Sequence, residues 1–240
     1  EAIKKPIVAT EISGFSGNLP ALQASAAAAG HIQPLIDFDG VLRRIPLFIK
    51  FKDGYYESLA LATYRTYLDN EPVKIVLRED EGDRRPKLKH AQVRNSIIPI
   101  DAFGATFIPF RGNSPMYRYV SGTDVMRGKL AKGELEGKIA LVGSTAQGLF
   151  DLRNTPVGET YPGVETHANM ISGFLDNAIK QRPRYEIAIS CYIILFLGIP
   201  IGDLQGFERQ CEEAVARNAD LSYAYVVSER GALLFHNAET

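Results

Sequence analysis

Cysteine is scarce in this 240-residue chain: Cys191 and Cys211 are the only two, and residues 1–190 contain none. Two thiols make no disulfide framework, and a cysteine-free fold is legal on either side of a membrane, so the redox compartment stays open. An excess of charge is also missing. Lys and Arg number 27 against 28 Asp and Glu, a formal net charge of -1, which excludes the broad cationic field that holds nucleic acid or an anionic membrane surface. Metal chemistry has little to draw on. His31, His90, His167 and His236 include no ligand-spaced pair, and neither cysteine has a Cys-x-x-Cys partner; no cofactor and no metal are expected. The chain opens without an initiator Met, a basic leader or a signal-type apolar segment, and reads as a fragment whose upstream part is missing. It has no internal repeat and no low-complexity tract beyond a short alanine run.

What is present is globular. Hydrophobic residues make up 45% and charged residues 23% of a 26.5 kDa chain, enough to bury a core and more than the roughly 100–150 residues of one typical domain. Asn18 and Pro20 supply a cap and a first-turn proline for a helix over Ala21–Ala29, which Gly30 would stop. Apolar runs at His31–Phe38 and Val41–Phe51 flank Asp39-Gly40, a hairpin signal, and Pro46 marks an edge or bulge in the second arm. Residues 57–68 carry helix-spaced Leu61, Tyr64 and Leu68, with Asp69-Asn70 at the end; Val73–Leu77 then reads as a strand. The charge-dense Glu79–His90 reads as a solvated loop. Short strand-like runs follow at Ile97–Ile100 and Ala105–Phe110, then a capped helix near Ser121, then Lys138–Val142 as a strand buried on both faces. The most periodic helix runs from Gly163 to about Ile179, with Val164, Ala168, Ile171, Leu175 and Ile179 spaced four, three, four and four. This alternation predicts an α/β domain, a layered mixed sheet covered by helices.

Ile187–Gly202 is sixteen residues without a charge, preceded by Arg182 and Arg184. A span needs roughly 20 such residues. The run is read as an intact or truncated transmembrane segment over 185–202, because Gly198 and Pro200 would interrupt a soluble core helix. Beyond it, Asp203–Ala219 is helical in pattern, and Leu221–Val227 with Ala232–Phe235 reads as a hairpin. That stretch resembles the opening of a PAS-like or Cache-like module, or is a linker.

The segment richest in chemistry is Ile139–Gly158 with Tyr161–Asn169. A strand ending in Gly143-Ser144-Thr145 would present backbone N–H groups and two hydroxyls at the carboxyl edge of a sheet, where α/β folds commonly bind ligands. It lacks the Gly-Lys-Ser/Thr of a phosphate loop, the spaced glycines of a dinucleotide fingerprint and the Gly-x-Ser-x-Gly nucleophile elbow. Asp151 and Arg153, two apart, share a face in an extended segment and point into one crevice; a buried bidentate pair is the bland reading and an anion-binding Arg153 the functional one. Glu165 and His167 lie in the first helical turn, two apart and hence on different faces. Nothing assembles a nucleophile, a base and an oxyanion donor.

Val142-Gly-Ser-Thr-Ala146, Asp151-Leu-Arg153, Thr155-Pro156 and Pro162-Gly-Val-Glu-Thr-His-Ala-Asn169 occur in an order that resembles the type-two CHASE domain, a sensory extracellular domain of bacterial nucleotide cyclases, histidine kinases and serine/threonine kinases. Upstream, Phe38-Asp-Gly-Val-Leu-Arg-Arg44, Ile45-Pro-Leu47 and Tyr119-Val-Ser-Gly-Thr-Asp-Val125 before Leu135-Glu-Gly-Lys138 are similar to the same family. The resemblance implies an extracytoplasmic sensor at residues 1–184 of a receptor in the bacterial cell membrane. Its output module, a cyclase or a kinase, would lie outside this chain, which itself is no enzyme. A small molecule or protein signal is the expected partner, and a homodimer the expected assembly. Gly143, Ser144, Thr145, Asp151, Arg153, Glu165, His167 and Asn169 are the candidate ligand-binding residues. Two other classes stay open: an assembly module without a small ligand, and a soluble α/β enzyme using Ser144, Asp151 and His167.

Overall fold

A computed structural model describes residues 9–78, 87–101, 103–145, 151–181, 183, 185–196, 226–227 and 233–235. The chain divides into two compact units, Glu1–Gln181 and Arg182–Thr240. It is mixed α/β, as expected, but the described residues form several small sheets and five helices in place of one layered sheet. Short strands and a well-placed proline explain the division.

Strand β1 (Thr10–Glu11) precedes helix α1 (Pro20–Ser25), which ends well short of the expected Ala29 and buries no residue. A six-residue helix has little cooperativity of its own, and without a packed face nothing extends it. Gly30 is therefore not its stop. A Cβ at Gly30 would lie 2.6 Å from both N and Cα of Leu59, so the position lacks a side chain because the chain runs against the start of the next helix. Adjacent backbone bonds hold it there: His31 N–H donates to Glu57 O at 3.0 Å, and Leu59 N–H to His31 O at 2.8 Å.

Strands β2 (Leu35–Ile36) and β3 (Leu42–Pro46) form the predicted hairpin, with Gly40 at φ 78° in the turn. The turn carboxylates do more than close it. Arg43 reaches Asp37 at 2.9 Å and Asp39 at 2.7 Å, while Arg44 bonds Asp37 and reaches Asp101 at 2.7 Å. The far side of β3 pairs with strand β9 (Ala105–Phe107), and Pro46, opposite Ala105, is the last residue of that ladder. Proline has no N–H to continue pairing. Leu47 N–H bonds Gly104 O at 2.9 Å instead, and the chain bends into β4 (Phe48–Phe51), which belongs to another sheet with β1 parallel and β5 (Gly54–Glu57) antiparallel.

Helix α2 (Leu59–Tyr67) starts at Ser58, whose Oγ accepts from Leu61 N–H at 3.4 Å. It ends where Asp69 and Asn70 take φ of 58° and 61°. Strands β6 (Val73–Arg78), β7 (Lys87–Val93) and β8 (Ser96–Pro99) then form an antiparallel meander. Residues 87–90, read as part of a solvated loop, thus belong to a strand with Leu88 buried; 79–86 lie outside the described residues. Helix α3 (Gly122–Met126) is short and exposed. Residues 138–142 pair with no strand among the described residues, and Val142 is fully exposed. This corrects the doubly buried strand: only Ile139 and Leu141 turn onto the core.

Hairpin strands β10 (Leu152–Thr155) and β11 (Gly158–Pro162) lead directly into α4 (Gly163–Leu175). This helix stops one turn before the expected Ile179, with Asn177 at φ 52° and Ala178 N–H bonded to Gly173 O at 2.8 Å. It is buried on nearly every side. Of the apolar stripe predicted from spacing, Ile171 is buried, Val164 and Ala168 are half-buried, and Leu175 is exposed. Met170, Ile171 and Phe174 enter the core with Leu61 and Tyr64 of α2 and Ala91, Val93 and Ile98 of the meander. The Tyr64 and Phe174 rings lie 5.5 Å apart. Ser96 Oγ donates to Phe174 O at 3.3 Å, which leaves the Tyr64 hydroxyl to donate to Ser96 at 2.7 Å.

In the second unit, α5 (Glu186–Phe196) occupies part of the apolar run. Eleven residues rise roughly 16 Å, about half a hydrocarbon core, and no helix among the described residues is long and apolar enough to cross a membrane. Residues 197–202 and the expected helix 203–219 lie outside the described residues. Strands β12 (Val226–Val227) and β13 (Leu233–Phe235) pair antiparallel, as the hairpin pattern predicted.

Gly30→Ala separates the two roles considered for that glycine. A helix-stop glycine at ordinary φ would tolerate alanine or be stabilised by it. Close approach to Leu59 predicts a loss of about 1–3 kcal/mol, read by urea denaturation; an unchanged midpoint would return Gly30 to a passive linker.

Candidate functional site

Three pieces of chain converge at the start of α4: the segment ending in Gly143, the beginning of β10, and the first helical turn. Two glycines permit it. A Cβ on Gly143 would stand 2.5 Å from Cβ of Val164, and one on Gly163 would stand 2.2 Å from Oδ1 of Asp151. Gly163 N–H also donates to Asp151 O at 2.7 Å, so the start of the helix is tied to the start of the hairpin. Between these pieces lies a crevice of about 150 Å³ lined by Gly143, Asp151, Arg153, Thr166 and His167, with Leu42, Ile45, Leu59 and Val164 among its apolar walls.

Asp151 and Arg153 both line the crevice, as their spacing allowed. They do not form the buried bidentate pair. Their one ion contact is 3.7 Å long, and the side chains are 38% and 36% exposed. At the open start of a hairpin, water competes for both groups, and an exposed pair of this length contributes at most a few tenths of a kcal/mol.

His167 is the deep polar group. It is 8% exposed, and its Nδ1 has no hydrogen-bond partner among the described residues. Burial lowers its pKa, partly offset by the Asp151 carboxylate. Beside it, sequence reasoning missed His31, whose Nδ1 accepts from Gln33 N–H at 3.3 Å while Nε2 is buried and unpartnered. Burial and then repulsion from His167 lower its pKa to about 4. No spacing signal could have paired two histidines so far apart in the chain. Thr166 needs no ligand, since its hydroxyl donates to Gly163 O at 2.6 Å.

Glu165 and Asn169 do not reach the crevice. Glu165, 2% exposed, accepts from Met116 N–H and from the Tyr119 hydroxyl, each at 2.7 Å. Burial pushes its carboxyl up, but donors from Ser114, Met116 and Tyr119 outweigh that and hold it below the ordinary range. The Asn169 amide donates to Tyr161 Oη at 2.7 Å and Glu165 O at 2.9 Å, and its Oδ1 accepts from Arg111 N–H at 3.3 Å. Both are occupied in clamping residues 111–119 onto the helix. Ser144 is half-buried with an unpartnered Oγ, Thr145 is exposed, and neither lines the crevice. The eight candidates therefore divide: Gly143, Asp151, Arg153 and His167 come together, Ser144 and Thr145 flank them, and Glu165 and Asn169 serve the loop.

With Ser144 Oγ and His167 Nδ1 both unpartnered, no hydrogen bond joins them as nucleophile and base. Among the described residues no group of three or more His, Cys, Asp or Glu is placed to hold a metal ion.

The family model of the CHASE2 domain matches residues 1–201, and the chain belongs to that family. CHASE2 domains are sensory, extracellular modules of signalling proteins rather than catalytic ones. Neither the curated proteins nor the solved structures include a match to the chain.

Two outcomes follow from the buried groups. Because both histidines favour the neutral form in the fold, the unfolded chain, with ordinary values near 6.5, binds more protons between that pH and about 4. Stability is thus fully present above pH 7 and declines as pH falls towards 4; melting at pH 7 and pH 5 should show a lower midpoint at pH 5, with a smaller drop in His31→Gln. Glu165→Gln should cost about 1–3 kcal/mol, since its buried donors lose an ionised acceptor. A denaturation midpoint matching the parent would mean that the 111–119 clamp is held by something else.

Proposed function

We propose that the chain is the extracytoplasmic sensor of a bacterial transmembrane receptor, with residues 1–184 outside the cytoplasm and residues 185–202 as the membrane segment. The signal binds in the crevice at the start of α4, and the output module is a nucleotide cyclase or kinase carried elsewhere in the receptor. One observation carries the ligand-binding part: His167, buried with a ring nitrogen that has no partner among the described residues, lines a crevice that also holds two half-exposed charges of opposite sign. An unpartnered buried polar atom costs about 1–3 kcal/mol, and a bound molecule would remove that cost. Family membership supports the sensory role. The uncharged run 187–202 and its Arg182 and Arg184 flank support the membrane segment.

A ligand acts only through different affinities for two arrangements. The crevice is suited to this because its walls are separate pieces: the segment at Gly143, the Asp151 end of the hairpin, and α4. Just past the helix, Ile179 packs on the core, and the chain then runs to the basic residues before the apolar stretch. A shift of α4 against Gly143 would be passed along that covalent path.

Assembly without a small ligand is a second reading, favoured by α1. It buries nothing and displays Leu19 and Leu22, 67% and 58% exposed. Thermal melting of the chain against fractionated metabolite pools separates the two, because a selective ligand must raise the midpoint. The sensor reading expects a rise with one fraction that disappears in Arg153→Gln. No rise with any fraction, together with a dimer that dissociates in Leu22→Asp, would replace it with assembly.

A further inference from the structure

We infer that the crevice at the start of α4 receives a small zwitterion of the α-amino acid class, its ammonium group on Asp151 and its carboxylate on Arg153. The inference rests on the crevice being the sensing site and gives that site its chemistry. The carboxylate and guanidinium lie 3.7 Å apart, beyond hydrogen-bond length, so among the described residues no hydrogen bond occupies the planar fork of Arg153, which is suited to take a carboxylate. A simple carboxylate on Arg153 would be repelled by Asp151, and a simple amine on Asp151 would be repelled by Arg153. A molecule that carries both charges a few ångströms apart meets attraction at each end and leaves the site's net charge unchanged. Such mutual exclusion of singly charged analogues is how a site discriminates by repulsion as well as attraction.

The interior agrees with a short ligand. His167, 8% exposed, lines the crevice with a neutral ring whose Nδ1 is buried without a hydrogen-bond partner among the described residues, so it adds no charge to the site. Leu42, Ile45, Leu59 and Val164 provide apolar surface for a small side chain. The volume of about 150 Å³ is the size at which an engineered apolar cavity holds benzene, about six non-hydrogen atoms. Alanine and serine are of that size.

Calorimetric titration of the chain with L-alanine, propionate and ethylamine tests this, the last two being alanine without its ammonium and alanine without its carboxylate. L-alanine should bind, and each singly charged analogue should bind at least about tenfold more weakly. Asp151→Asn and Arg153→Gln should each weaken L-alanine about ten- to a hundredfold, the loss of one charge-assisted contact. Ile32→Trp offers a second route. Ile32 lines the mouth and is 67% exposed, so the larger ring blocks entry without entering the core, and unchanged circular dichroism confirms the fold. Propionate binding as tightly as L-alanine, with Asp151→Asn indifferent, overturns the zwitterion and leaves the crevice as a site for simple acids. L-alanine binding that survives Asp151→Asn, Arg153→Gln and Ile32→Trp overturns the crevice itself. No heat with glycine, L-alanine or L-serine overturns the zwitterion, whatever the metabolite fractions show.

Discussion

The first unit is organised around a helix that has almost no solvent face. Because α4 is enclosed, each polar side chain in its first two turns had to find a protein partner or remain without one. Glu165 and Asn169 found theirs in the 111–119 segment and Tyr161, Thr166 turned back on Gly163, and His167 was left with a bare ring nitrogen. The loop clamp and the crevice are therefore two results of one burial constraint. They lie on different sides of the same turn because consecutive odd positions in a helix do not share a face.

Close approach of backbone to side chain is what makes the enclosure possible. Val164 rests on Gly143 and Asp151 on Gly163 at separations that leave no room for a Cβ. Had either position carried a methyl group, the lip, the hairpin and the helix would stand further apart and the crevice would lose its walls. The same contacts make the site sensitive, since small displacements between close-packed pieces have few intermediate positions in which to rest.

The polar clasp at the other end is more conventional. Arg43 and Arg44 alternate along β3 and divide three carboxylates between them, Asp37 and Asp39 from the turn and Asp101 from the approach to β9. The Arg43–Asp39 pair is the most exposed and adds little stability singly, whereas Arg44, Asp37 and Asp101 are more shielded from water. Their geometry aligns the β2–β3 hairpin with β9, which presents Leu42 and Ile45 as crevice wall.

Local signals were legible wherever the cause was local. The Asp39-Gly40 hairpin, the end of α2 at Asp69-Asn70, the start of α4 after Pro162, and the common direction of Asp151 and Arg153 all follow from dihedral preferences or strand period, and the linked motifs from residue 142 to 169 were enough to indicate the family. The failures share a different cause. The α4 stripe was misplaced because spacing identifies one apolar face and cannot see that both faces are covered; Gly30 read as a helix stop and Gly143 as the end of a strand because the atoms they accommodate, Leu59 and Val164, are far along the chain. Which of the eight candidate residues face one another, and that His31 joins them, was decided by tertiary packing alone. Sequence specifies what each residue can do with its near neighbours, whereas a crevice is made of surfaces that only meet once the core has closed.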